Sequence, residues 1–231
     1  MKTKLALLLT VMTVSAYADI FTFTTPAGSA TSGPVSASAT VTTGNGTVTI
    51  VLNDLQANPQ DVAQLISDFD FVLSTGATSG TLASQAGALI NIDGSGNSTS
   101  ASGSPNGWQL NSLGGGLQLD ALGGGQPNDL IIGPGGAGGV YTNANSSIAG
   151  NGPHNPFISQ KGTFVVDVAG VTVDTSVLSA AFSFGTTEGK YVIPGIPPGR
   201  LGTVPEPTSV LLLGSTLGVL LVGLRKRMSS R

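Results

Sequence analysis

With 231 residues the chain has room for one domain, or at most two small ones, and its 40% apolar content is enough to build a core. Cysteine is absent, which excludes disulfides, thiol catalysis, thiolate metal sites and a lipid-attachment cysteine. The formal charge of −3 is unevenly spread: the stretch 19–204 holds 11 Asp or Glu against only Lys161, Lys190 and Arg200, a net −8 that repels nucleic acid and anionic lipid.

The first element is an address. In MKTKLALLLTVMTVSAYADI, Lys2 and Lys4 form a basic head and Leu5 to Val14 an apolar stretch of ten residues. Ala16-Tyr17-Ala18 then supplies small residues at both positions that a signal peptidase reads. The apolar stretch is too short to span a bilayer. Export is expected, with cleavage after Ala18 leaving Asp19 as the new N-terminus.

From Asp19 to about Arg200 the chain reads as short strands between clusters of Gly, Asn, Ser and Pro. Strands are expected at residues 20–24, 47–53, 68–74, 108–111, 117–119, 129–132, 163–169 and 177–184. One short helix is expected over residues 58–67. Asn58 would cap it, Pro59 would take the first helical position and Asp61 the first turn, with Val62, Leu65 and Ile66 on one face. Many short strands without alternating helices point to an all-β ectodomain, a β-sandwich or jelly-roll-like fold.

Several stretches could carry chemistry. Asp68-Phe69-Asp70-Phe71 alternates strictly, so its two carboxylates share the face opposite the phenylalanines. Such a pair could serve calcium or glycoside hydrolysis, although successive outward positions on a strand are ordinarily a solvated face. Asn91-Ile92-Asp93-Gly94-Ser95-Gly96-Asn97 loosely resembles a calcium loop but has Ser98 and Ser104 where an EF-hand needs glycine and a bidentate glutamate, so it reads as a surface turn. Trp108, the only tryptophan, reads either as a core anchor or, with Tyr141, as a glycan contact.

Residues 114–139 hold 11 glycines in 26 positions, including LGGG at 113–116 and again at 122–125. Two copies cannot stack a solenoid, and glycine-rich turns are the reading. Gly133-Pro134-Gly135-Gly136-Ala137-Gly138 matches G-x-G-x-x-G, but the β-prone Val140-Tyr141-Thr142 follows where a dinucleotide fingerprint needs a helix. His154, the only histidine, lies in the turn-forming Asn151-Gly152-Pro153-His154-Asn155-Pro156, and no G-x-S-x-G nucleophile elbow accompanies it. It reads as an exposed loop residue. No catalytic residue and no resident cofactor are expected; calcium is the one ion for which the sequence offers any ligands.

The last element is a second address. Val204-Pro205-Glu206-Pro207 precedes an apolar run at 209–224, and Arg225, Lys226 and Arg227 follow at once. Sixteen helical residues span about 24 Å, the low edge for a ~30 Å hydrocarbon core, and the basic cluster stays cytoplasmic. These three parts, in this order and spacing, resemble the PEP-CTERM sorting signal. The resemblance implies a Gram-negative exported protein held transiently in the inner membrane by a transmembrane helix. It also implies an exosortase that reads Pro205, Glu206 and Pro207 and releases or transfers the chain. Carriers of such signals typically make exopolysaccharide or biofilm matrix. The expected organisation is a signal peptide at 1–18, an all-β ectodomain at 19–203 and a sorting signal at 204–231. The expected role is a non-enzymatic surface or matrix protein, with a secreted carbohydrate-binding module as the alternative and a hydrolase using Asp68, Asp70 or His154 behind both.

Overall fold

A computed structural model describes residues 18–123 and 127–197. The chain divides into two units, Met1–Pro197 and Pro198–Arg231, and all the structure described belongs to the first. The signal segment through Tyr17, with Ala16, lies outside the described residues. So do Pro205-Glu206-Pro207, the apolar run at 209–224 and Arg225-Lys226-Arg227.

The described residues form fourteen strands. In chain order they are β1 (Ile20–Thr24), β2 (Ala37–Thr43), β3 (Thr47–Asp54), β4 (Ile66–Leu73), β5 (Thr81–Ala86), β6 (Leu89–Ile92) and β7 (Ser98–Ser100), then β8 (Gln109–Leu113), β9 (Gly116–Asp120), β10 (Ile131–Ile132), β11 (Phe157–Ser159), β12 (Lys161–Asp167), β13 (Val177–Phe184) and β14 (Val192–Pro194). Five of them make one antiparallel sheet in the order β1-β2-β3-β12-β5. The other nine run β14-β13-β4-β10-β11-β6-β7, with the β8–β9 hairpin attached to β4 through β9. In this second sheet β10 and β11 pair in parallel.

Period-two alternation sets which side chains face inward. Ala37, Ala39 and Val41 of β2, Val48, Ile50 and Leu52 of β3, and Phe164 and Val166 of β12 are buried from the first sheet. Phe69, Phe71 and Leu73 of β4, Leu117 and Leu119 of β9, and Ala180, Phe182 and Phe184 of β13 are buried from the second. All join one hydrophobic cluster. Phe69 anchors it, with ring centroids 6.0 Å from Phe71 and 5.3 Å from Phe182. Each fully buried Phe contributes roughly 1.5–3 kcal/mol relative to exposure.

The two sheets also meet at an edge. Thr24 at the end of β1 and Ile196 just past β14 exchange backbone hydrogen bonds of 3.1 and 2.8 Å. The last described residues are therefore pinned to the first strand of the opposite sheet. At the other end of β1, Asp19 donates its N–H to Val173 and accepts from the N–H of Thr43, while Ala18 is exposed.

The helix expected over 58–67 is not formed. Only Val62–Gln64 makes a single 3₁₀ turn, and β4 has begun by Ile66. Asn58 has φ 48°, a left-handed conformation, and so starts no helix. Asp61 is the cap instead: its carboxylate accepts the Ala63 N–H, and the Gln64 side chain accepts the Asp61 N–H, completing a capping box. Sheet pairing of Ile66 with Ile131 and Phe184 claims the residues a longer helix would need. Among the described residues no helix is long and apolar enough to cross a membrane.

Candidate functional site

The strongest cluster of reactive side chains is built on β4 and its neighbour β9. Phe69 and Phe71 turn into the core, so Asp68 and Asp70 point to the opposite face of the sheet. β9 repeats the pattern in antiparallel register, with Leu117 and Leu119 inward and Gln118 and Asp120 outward. Asp68 stands directly across from Asp120, and Asp70 across from Gln118. On the next strand, β8, Gln109 pairs with Asp120 and Asn111 with Gln118. On the other side of β4, Ser183 and Ala181 of β13 complete the rows.

This face is not solvated, which corrects the expectation from the sequence. Asp68 is 1% exposed, Asp120 3% and Gln118 8%, while Asp70 is half-buried. The two facing carboxylates are treated unequally. Asp120 accepts the Gln109 amide at 3.2 Å, the Asn111 amide at 2.7 Å and the Leu122 N–H. Among the described residues Asp68 accepts only the Ser67 hydroxyl, at 3.3 Å, and its Oδ1 has no partner; neither has Asp70 Oδ1. Burial, then the facing Asp120, then Asp70 push the Asp68 carboxyl up to about 8. Burial is also the main cause that raises Asp70, opposed by the Gln118 amide and assisted by Asp120 and Glu188. Among the described residues no group of three or more His, Asp or Glu side chains is placed to hold a metal ion.

A second buried carboxylate lies at the end of β3. Asp54 is 1% exposed; its Oδ1 accepts the Gln56 N–H at 3.0 Å and its Oδ2 has no partner among the described residues. Burial pushes its carboxyl well above the usual carboxylate range. Nearby, the Tyr141 hydroxyl donates to the Gly133 carbonyl at 3.0 Å. Burial, with help from the Asp54 charge, pushes that phenol up to about 12.

Neither aromatic candidate for glycan contact is at the surface. Trp108 is 3% exposed and packs on Phe164 with ring centroids 4.7 Å apart, and its indole N–H donates to the Asp129 carbonyl at 2.8 Å. Tyr141 is 3% exposed. A ring with no free face cannot stack on a sugar, so both are core residues with satisfied polar atoms. The correction follows from the chain around them: the Asp129 carboxylate accepts the N–H groups of Asn106 and Gly107 and folds the segment before Trp108 over the core.

The remaining candidates resolve into turns. Asp93 Oδ1 accepts the N–H of Ser95 at 2.8 Å and of Asn97 at 2.9 Å, and the Asn97 amide reaches both carboxylate oxygens. The Asn97 side chain and backbone, then the Ser95 N–H, hold the Asp93 carboxyl below its usual value. Its oxygens thus serve their own turn. Gly133–Gly138 opens no helix: one 3₁₀ turn, Ala137–Gly139, stands there and contains Gly138 at φ 70°. Any Cβ on Gly133 would collide with the Gln56 carbonyl, so close backbone packing explains that glycine.

His154 is half-buried rather than exposed, and its Nδ1 lies 2.8 Å from the Ser147 carbonyl, which fixes Nδ1 as the protonated nitrogen. The Ser147 hydroxyl points elsewhere, donating to Asn145 and accepting from the Val62 N–H. No serine is thus activated by this histidine at that contact.

Comparison with known proteins finds no matching family model, no match among curated proteins and no matching solved structure.

Proposed function

We propose that the chain is an exported, non-enzymatic surface or matrix protein. Its β-sandwich ectodomain is delivered by the signal peptide and handed on through the PEP-CTERM tail. Signal peptidase acts after Ala18, and an exosortase acts at Pro205-Glu206-Pro207 while the helix at 209–224 and Arg225-Lys226-Arg227 hold the precursor in the inner membrane. The chemistry in this scheme is done to the protein rather than by it.

The observation that carries the non-enzymatic reading is the burial of Asp68 and Asp120. A hydrolytic pair must touch its substrate, and a carboxylate 1% exposed inside a paired strand does not. The outward face of the five-stranded sheet supports the matrix reading. Thr22 of β1 lies beside Thr40 of β2, then Val51 of β3 and Thr163 of β12. In the next row Thr42 of β2 lies beside Thr49 of β3 and Val165 of β12. Such a neutral hydroxyl and methyl surface suits a hydrated, uncharged polysaccharide through hydrogen bonding rather than ion pairing. Asp19, already bonded to Val173 and Thr43, is a natural first residue for the mature fold.

The test is retention. Matrix prepared from cells with and without exopolysaccharide should hold the protein only in the first case, and equal retention in both would overturn the matrix role. The carbohydrate-binding alternative would have to use side chains other than Trp108 and Tyr141, because neither ring is accessible.

A further inference from the structure

We propose that Asp68 and Asp120 share a single proton across the β4–β9 ladder, and that removing it loosens the β8–β9 hairpin from the sheet. The register places the two carboxylates directly opposite, where like charges repel. Both are almost fully buried, so water screens that repulsion poorly. Their partners decide which one carries the proton. Asp120 already accepts two side-chain amides and a backbone N–H, the environment of an ionised carboxylate. Asp68 has one weak hydroxyl donor and an orphaned buried oxygen, the environment of a protonated one.

The other groups facing the pair reinforce this assignment. Asp70 sits two residues along β4 and Glu188 acts on it from the loop before β14. β13 contributes Ser183 opposite Asp68, and β8 contributes Gln109 and Asn111. Among the described residues none of the groups acting on Asp68 or Asp70 is cationic. A proton is therefore the neutralising species these residues supply for themselves.

The hairpin is the element this pair would release. Among the described residues β8 pairs in the sheet with β9 alone, and β9 joins the rest of the sheet through Asp68–Phe71 of β4, with the Ala121 N–H on the Ser67 carbonyl just past its end and the Gln85 side chain of β5 bonded to the Trp108 backbone just before β8. Its turn runs through Gly114 and Gly115, the latter at φ 97°. Opening exposes Asp68 to water, where its carboxyl returns to its ordinary value near ~4. The closed hairpin, whose Asp68 titrates at about 8, thus binds more protons than the open one between about pH 4 and about pH 8. Closure is fully favoured at the acid end of that window, is lost as the pH climbs through it, and is level above.

Hydrogen exchange of the mature chain from culture, read by mass spectrometry and corrected for intrinsic rate, tests this. In the wild type, hairpin opening should rise up to about tenfold per pH unit between about pH 5 and about pH 8, relative to the β3 and β12 segments. Asp68→Asn, isosteric with the protonated acid, should flatten that rise. Parallel profiles in both proteins would overturn the proposal. Carbon-13 titration of assigned Asp carboxyls in the wild type gives a check that needs no variant and keeps Asp54 apart: Asp68 itself titrating within about a unit of pH 8 supports the shared proton, and Asp68 titrating below that range overturns it.

Discussion

Trp108 and Asp129 are tied by two opposite sets of hydrogen bonds. The Trp108 indole N–H donates to the Asp129 carbonyl at 2.8 Å, while the Asp129 carboxylate accepts from Asn106 and Gly107 at 2.7 and 2.8 Å, on the approach to Trp108. Asp129 adopts φ 58° to do so. Trp108→Phe should cost about 1–3 kcal/mol, because the Asp129 carbonyl loses its donor in a buried place. Trp108→Ala should cost about 3–5 kcal/mol. Urea titration of each variant measures the difference. In the wild type the single Trp should report unfolding as a red shift of its emission.

Asp61 rather than Asn58 caps the 3₁₀ turn before β4. Asp61→Ala should therefore destabilise the fold by about 0.5–2 kcal/mol. Asn58→Gly should cost at most about 1 kcal/mol, because φ 48° suits glycine without strain and only the exposed side-chain bonds to Thr142 and Asn143 are lost. Thermal melts of the two variants decide between this cap and the one that the motif Asn58-Pro59 suggests.

Much of this architecture is legible in alternation. Residues 20–24 and 177–184 form strands with the expected bounds, because IFTFT and VLSAAFSF carry β-branched or aromatic side chains toward the core. β2, β5 and β7 are less visible, since ASATVTT, TLASQA and STS carry few large apolar side chains to mark an inward face, although Thr and Val in β2 favour a strand. β2 becomes a strand through its neighbours: Ala39 lies across from Phe23 and Leu52, which bury it. The carboxylate pair was half legible. DFDF gives the face of Asp68 and Asp70, but Asp120 joins them only through the β4–β9 register, a long-range pairing that no local pattern encodes. The matching alternation of Gly116-Leu117-Gln118-Leu119-Asp120 is the signal that could have found it.

Asp54 makes stability depend on pH in a direction opposite to ordinary acid denaturation. Its folded carboxyl lies above the usual value near ~3.9, so its contribution is fully present below that value and is lost as the pH rises toward the folded one. Asp54→Asn should remove part of this slope, and the variant should gain on the wild type as the pH is raised. Melting temperatures of both proteins across a pH series measure it; a constant gap would sink the assignment.

The two kinds of glycine in the G-x-G-x-x-G stretch should separate on mutation. Gly133→Ala forces the Gln56 backbone away and should destabilise strongly. Gly138→Ala meets open space and pays only for φ 70°, about 1 kcal/mol. Addition of a dinucleotide should shift neither melting curve. A shift in the wild type that Gly133→Ala abolishes would instead point to a ligand there.

Calcium offers a similar contrast at Asp93. Its carboxylate holds the Ser95 and Asn97 N–H groups, so Asp93→Ala should speed exchange of those two amides with or without calcium. Calcium-dependent protection of the same amides in the wild type would contradict the turn reading.

The central claim is that both ends of the chain are addresses removed around an intact β domain. The intact mass of the protein recovered from the medium and matrix of the producing cells tests this most directly. A chain that begins at Asp19 and ends at or just before Pro205-Glu206-Pro207, plus any attached group, is the predicted result. A mature protein that still carries residues 209–224 and Arg225-Lys226-Arg227, or one that begins at Met1, would contradict it.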